Sequence, residues 1–199
     1  MSARPTLRNL TGARAAPNAL SETALIMIDC QNTYTDGVMA LDGVEDALKE
    51  AEALLARARA LGSPIIHIRH DAGVGSPYDI TAENGQIVTA VAPVGDEPVV
   101  DKNFPSSFEQ TELDELLKAR DITKLTLAGF MTHMCVNSTA RAGFNKGYDV
   151  TVVASATATR SLPDPRGGDI PSSAVHANAL AAMGDLFAHV SASASDIPD

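Results

Sequence analysis

Apolar positions in this chain fall into short continuous runs, and between them lie longer stretches where apolar residues recur at helical spacing. The run Thr23-Ala24-Leu25-Ile26-Met27-Ile28 is apolar almost throughout, which is how a strand buried on both faces reads. Residues 44–61 form an amphipathic helical pattern that Gly62 closes, and residues 64–69 make a second apolar strand. A strand, a helix and another apolar strand imply a parallel pair joined by a right-handed crossover. Residues 70–98 hold much Gly and Pro and read as a long loop over the sheet edge. The pattern then predicts a short strand at 98–102 and a helix at 111–119 that opens with Glu112, Asp114 and Glu115. A buried strand at 124–128, a tight turn at Gly129 and helix-compatible composition from Cys135 to Asn145 follow. Residues 149–154 predict a fifth strand, 172–187 a helix, and 188–193 a short last strand.

This alternation defines an α/β chain: a single three-layer α/β/α domain at 22–199 with an open, mostly parallel, Rossmann-like sheet of five to six strands, preceded by an irregular arm at 1–21. There is no internal repeat and no low-complexity linker. In such sheets ligands bind outside the carboxyl ends of the strands. Asp29, His70, Lys102 and Cys135 each lie at or just beyond such an end, so the topology directs them toward one crevice.

Composition narrows the classes. The chain has 199 residues and a net charge of -10, from 15 basic and 25 acidic side chains, which argues against a nucleic-acid binder needing a basic face. No apolar stretch has the length of a membrane span or a signal peptide core. The 2 cysteines, Cys30 and Cys135, have no disulfide or zinc spacing, so a reducing, cytoplasmic compartment is expected.

A lone cysteine at a strand end is often inert packing, an aspartate there can be a turn cap, and a lysine can be a solvated charge. Their shared rim position favours chemistry. Near a helix N-terminus Cys135 would gain thiolate character. Asp29 would accept its proton and Lys102 would stabilise the anions. After attack on a carbonyl, Asp29 could protonate an amine leaving group and then activate water. Those steps amount to amide hydrolysis by covalent catalysis.

Three blocks in order carry a resemblance: Leu25-Ile26-Met27-Ile28-Asp29-Cys30-Gln31-Asn32; Lys102 with Ser106, Phe108, Thr111 and Leu113; and Ala128-Gly129-Phe130-Met131-Thr132-His133-Met134-Cys135-Val136, followed by Ser138-Thr139-Ala140-Arg141 and Gly147-Tyr148. Over roughly residues 22–190 the chain resembles the isochorismatase-like cysteine hydrolases, which include nicotinamidases, N-carbamoylsarcosine amidases and ureidoacrylate amidohydrolases. The resemblance implies that fold, a catalytic triad of Asp29, Lys102 and Cys135, and a cis peptide between Phe130 and Met131. It also implies an oxyanion hole formed by the backbone N–H groups of Met131 and Cys135. The nicotinamidase metal pattern is missing from Ile68-Arg69-His70-Asp71-Ala72-Gly73, so no metal and no other cofactor is expected. True isochorismatases lack the nucleophilic cysteine, so Cys135 points to amide rather than vinyl-ether chemistry. Ser155-Ala156 stands where many relatives have Asp-Ala.

Gln31, Tyr34, His70, Phe104, Phe108 and His133 are candidates for substrate contact, with caps, turns or packing as their alternative roles. The expected partner is a small amide, carbamoyl or ureido substrate, and Ala-rich helices together with the resemblance imply a homo-oligomer, dimer or tetramer. Two other readings remain open: a hydrolase of another small acyl or enol-ether substrate, and a non-catalytic metabolite-binding or scaffold protein.

Overall fold

A computed structural model describes residues 4–199. In chain order its regular elements are α1 (Leu7–Leu10), β1 (Ala24–Ile28), α2 (Val44–Leu61), β2 (Ile65–His70), β3 (Val99–Lys102), α3 (Leu113–Lys118), β4 (Lys124–Phe130), α4 (Asn137–Asn145), β5 (Asp149–Ala158), β6 (Leu162–Pro163), β7 (Asp169–Ile170), α5 (Ser172–Leu186) and β8 (His189–Ser191). Six strands form one parallel sheet in the order β3-β2-β1-β4-β5-β8, and β6 and β7 make a small separate hairpin.

This order places the reversal of winding between β1 and β4. The chain proceeds outward from β1 to β2 and β3, then returns to lay β4 on the other side of β1. Crossovers therefore leave a crevice at the carboxyl ends of β1 and β4, and Asp29 and Cys135 follow those strands.

Strand residues alternate between two apolar layers, as a period of two requires. Leu25 and Met27 of β1 pack on the α2 side with Ala51, Leu54, Leu55 and Ala58. Ile26 and Ile28 face the opposite layer with Leu113, Leu117, Val136, Ala140 and Met183. Burying a Leu or Ile side chain contributes about 1.5–3 kcal/mol, so the full burial of Leu25, Ile26, Ile28, Leu54 and Leu55 pins the sheet between its helices. Helix α2 ends at a left-handed Gly62, whose N–H bonds Ala58 and Arg59 carbonyls.

Several boundaries differ from the sequence pattern. Gly129 does not turn the chain: β4 continues through it to Phe130. At φ +114°, Gly129 lies so close to β1 that a Cβ would fall 2.0 Å from the Ile28 oxygen. Helix α3 begins later than residue 111, because Gln110 has φ +54° and the Thr111 hydroxyl bonds back to the Ser107 carbonyl. Strand β5 extends to Ala158, past a shift in its register with β4 between Leu127 and Gly129. The arm contains α1, whose Leu7 N–H bonds Asp185 of α5, and Asn18 bonds Asp149 at the start of β5.

Candidate active site

Asp29 is the first residue beyond β1. It adopts φ +49°, a left-handed conformation that aspartate tolerates better than most side chains. Its N–H bonds the Ile68 carbonyl at 3.0 Å and its own carbonyl receives the Gln31 N–H at 2.8 Å, so the backbone that carries the carboxylate is fixed from both sides. Lys102 ends β3, two strands away, and its long stem reaches back across β2.

Cys135 sits in a wide helical turn, Thr132–Val136, that leads into α4. The Met134 and Val136 N–H groups both donate to the Met131 carbonyl, at 3.0 and 3.2 Å. The Phe130–Met131 peptide bond is cis. Thr132 supports the turn from behind: its hydroxyl donates to the Ala158 carbonyl and lies 3.0 Å from His176 Nδ1. No sequence signal marked His176, and Thr132 stood in the resembling block without a role, because their partners come from β5 and α5.

The three side chains meet around one ammonium group. Lys102 Nζ is 2.8 Å from Asp29 Oδ2, 3.0 Å from His70 Nδ1 and 3.4 Å from Cys135 Sγ. An ammonium has three hydrogens to give, and three acceptors surround it. Exposure is 0% for Asp29, 1% for Lys102 and 5% for Cys135. Neither Asp29 oxygen receives a well-angled hydrogen bond, so its charge is balanced through the close ion pair, with lone pairs left to accept a proton.

This setting corrects the thiolate expectation. Burial pushes the Cys135 thiol well above its ordinary value, Asp29 adds to the rise, and Lys102 opposes it. Burial and Asp29 thus work against the thiolate that the start of a helix alone would favour. Cys30 is equally buried, and its thiol is also raised by burial and by Asp29. Its sulfur faces only the Ile28 carbonyl, at 3.7 Å, and it has no lysine.

The remaining candidates separate. His70 does not sit on a substrate loop; it ends β2, its imidazole contacts Lys102, and Tyr78 lies edge-on at 4.9 Å between ring centroids. Burial and the neighbouring Lys102 hold the His70 pKa below its ordinary value. Tyr34 is buried against Phe130 and Tyr78, forming an apolar wall under the site. His133 bonds the Thr159 hydroxyl through Nδ1. Phe104 is 40% exposed on the loop after β3.

Gln31 and Phe108 are engaged elsewhere. Gln31 is fully buried; its Oε1 accepts from the His70 N–H and its Nε2 donates to the His70 and Gly85 carbonyls. Its amide ties β2 to the loop, and both of its Nε2 hydrogens are spent on backbone carbonyls. Phe108 stacks on Tyr148 at 5.6 Å and lies against Gly143 of α4, in the layer beneath α3 and α4. Among the described residues, no three His, Cys, Asp or Glu side chains are grouped to hold a metal ion. A cleft of about 670 Å³ behind the turn is lined by Asp42, Glu50, Ser155, Thr159, Ser172 and His176, none of them a member of the ammonium cluster. There Ser155 bonds Glu50 at 2.6 Å, which gives that position a structural partner.

A carboxylate, an ammonium and a thiol thus lie together at the switch point of a parallel α/β sheet. A family model described as the Isochorismatase domain matches residues 23–195; the chain belongs to this family and is a hydrolase. The crystal structure of an isochorismatase from Pseudomonas putida KT2440 superposes with a TM-score of 0.93 at 37% identity, covering 97% of this chain and 99% of the other. The secreted isochorismatase effector Isc1 of Verticillium dahliae is 30% identical over 90% of this chain and 93% of its own length. The ureidoacrylate amidohydrolase RutB of Stutzerimonas stutzeri is 31% identical over 73% of this chain and 74% of its own. No helix among the described residues is long and apolar enough to cross a membrane. With a secreted protein among the relatives, cysteine usage alone does not fix a cytoplasmic location.

Proposed function

We propose that this chain is a metal-independent cysteine hydrolase that cleaves the C–N bond of a small amide, carbamoyl or ureido compound through a thioester on Cys135. The observation that carries this reading is the single ammonium of Lys102 within 2.8 Å of Asp29 and 3.4 Å of Cys135. The thiol gives its proton to Asp29 as its sulfur attacks the carbonyl carbon. Lys102 stabilises the sulfur while it carries charge, and the N–H groups of Met131 and Cys135 receive the oxyanion. Asp29 then passes its proton to the departing nitrogen, which leaves as ammonia or an amine. A water molecule gives a proton to the same carboxylate, attacks the thioester and releases the acid, and the proton returns to the Cys135 sulfur.

A raised thiol pKa fits this sequence. Charge then develops on the sulfur as substrate arrives to take it up, which a buried site favours over a standing thiolate. The amidohydrolase relative supports C–N rather than ether chemistry. Ammonia release from primary amides, ureido acids and carbamoyl compounds tests the proposal. Wild-type protein should release ammonia equally with and without chelator, and Cys135→Ala should release none while remaining folded. Turnover retained by Cys135→Ala, or abolished by chelator, would overturn it.

A further inference from the structure

A second cluster of charged side chains lies at the opposite rim of the sheet from the thiol. A cavity of about 200 Å³ separates the N-terminal arm from the body of the domain, with Thr6, Arg8, Asn9 and Arg14 on one wall and Ala188 and His189 on the other. Asp149 lies beside it, near Arg8. Asp149 opens β5 and His189 opens β8, whereas Asp29, Lys102 and Cys135 stand where parallel strands finish.

Arg8 is 9% exposed and is the one buried arginine among the described residues. A guanidinium carries five N–H donors, and burying it is costly unless acceptors meet them. Arg8 makes one hydrogen bond, of 3.3 Å, to the Arg14 carbonyl. Asp149 Oδ1 stands 4.0 Å away, beyond hydrogen-bond reach, and Asp149 Oδ2 is taken by the Asn18 amide at 2.9 Å. Less buried arginines are held more closely. Arg59 grips Glu97 through bonds of 2.8 and 2.9 Å, and Arg57 donates to the Ala194 and Ile197 carbonyls at 2.6 and 2.7 Å.

The second guanidinium is freer still. Arg14 donates to Asn18 Oδ1 at 3.0 Å and forms no ion pair among the described residues. Asp185 of α5 is turned to the Leu7 N–H at 3.0 Å. One carboxylate, partly open to solvent, therefore faces two guanidiniums that line the same cavity, in a chain whose net charge is -10. Burial and then Arg8 hold the His189 imidazole below its ordinary pKa against the pull of Asp149, which is the effect of a locally cationic wall.

We propose that this cavity is a phosphoryl-binding site, in which Arg8, Arg14 and His189 receive the oxygens of inorganic phosphate or a small phosphate monoester and lock the arm onto the start of β8. A flat carboxylate is matched by one guanidinium fork. Donors arriving from two walls suit a group with acceptor oxygens in several directions. None of these residues belongs to the ammonium cluster, so the site stands apart from the hydrolase reading.

Calorimetry at constant ionic strength tests this with inorganic phosphate, glycerol 3-phosphate and acetate. Wild-type protein should bind one phosphate per chain and acetate at least tenfold more weakly. Arg14→Gln should weaken phosphate binding roughly tenfold, as loss of a charged hydrogen bond implies. Arg14 is exposed, so this variant reads the site even where Arg8→Gln loosens the arm. Arg8→Lys should keep part of the binding that Arg8→Gln loses. Bound phosphate should also slow tryptic cleavage after Arg8 and Arg14 in the wild-type protein, since a ligand that holds the arm in place stabilises the uncut form, and acetate should leave cleavage unchanged.

Tighter binding of glycerol 3-phosphate than of phosphate upholds the site and assigns it to a monoester; the reverse upholds it for the free ion. No phosphate binding, equal binding of phosphate and acetate, or phosphate binding undiminished in both Arg14→Gln and Arg8→Gln overturns the proposal and leaves the hydrolase reading untouched.

Discussion

At the scale of single residues, Lys102 has the least freedom. It is buried between a carboxylate, an imidazole and a thiol, and removing it leaves Asp29 charged and unpaired in the interior. Breaking a buried pair in that way costs about 3–5 kcal/mol. Lys102→Met should therefore lower the unfolding free energy by about that amount in denaturant titration, and abolish turnover. Adding Asp29→Asn should restore much of the stability and none of the activity; equal instability of the double variant would show that packing, not charge, dominates. His70 adds a pH dependence. Its neutral Nδ1 is an acceptor for Lys102, and protonation turns that acceptor into a second cation facing the ammonium. Because burial and Lys102 lower its pKa from 6.5 while Asp29 and Asp71 pull the other way, kcat/KM should lose activity on the acid side with a midpoint below 6.5. His70→Asn, which offers a carbonyl acceptor that does not titrate, should move that limb. An unchanged profile would remove His70 from the account. The convergence of Asp29, Lys102 and Cys135 was legible in the sequence because each lies at or beyond the end of a recognisable strand. The orientations of Gln31 and Phe108 were not, since they depend on Gly85, Gly143 and Tyr148, which lie far along the chain.

At the scale of elements, the approach of β1 to β4 sets the site. The Asp29 backbone and the cysteine turn stay adjacent because Gly129 lets the two strands come together. Gly129→Ala combines φ +114° with a contact of 2.0 Å to backbone, so it should prevent folding or cost several kcal/mol, on the order of the largest overpacking effects. Gly62→Ala meets a left-handed φ of +70° but open space, and should cost only about 1 kcal/mol. Comparable melting temperatures for the two variants would contradict this view of β4. The strands were readable because they are apolar on both faces, and α2 because its apolar stripe ends at a glycine. The ends of β4, α3 and β5 were not readable: they follow from backbone angles at Gly129 and Gln110 and from a register shift. The same apolar-to-polar pattern suits a turn or a continuing strand at Gly129. The β6–β7 hairpin has two residues in each strand, too few for any period to appear.

At the scale of the whole molecule, strand order alone brings the distant side chains together, and this was the part of the site most accessible from sequence. The switch point between β1 and β4 converts residues separated by over a hundred positions into neighbours. Titration of the fold follows from burial. All five histidines, His67, His70, His133, His176 and His189, have pKa values lowered from 6.5, chiefly by burial. The unfolded chain then binds more protons than the folded one as pH falls toward and below 6.5, so stability is greatest above that value and declines beneath it. Glu97 and Asp114, each held at about 2 by ion pairs and hydrogen bonds against ordinary values of 4.5 and 3.8, add a second loss as pH falls from those values toward 2. Unfolding free energies between neutrality and pH 4 should decrease monotonically; a maximum near pH 5 would contradict the burial of these groups.

The central claim is a covalent intermediate on Cys135. Its most direct test is rapid acid quenching during turnover of an ammonia-releasing amide, followed by intact-mass and peptide mass spectrometry. The account predicts an adduct of the acyl mass on the peptide containing Cys135, absent from Cys135→Ala and accumulating in variants slowed at hydrolysis of the thioester. Turnover that proceeds with no adduct at Cys135 and persists in the alanine variant would contradict it.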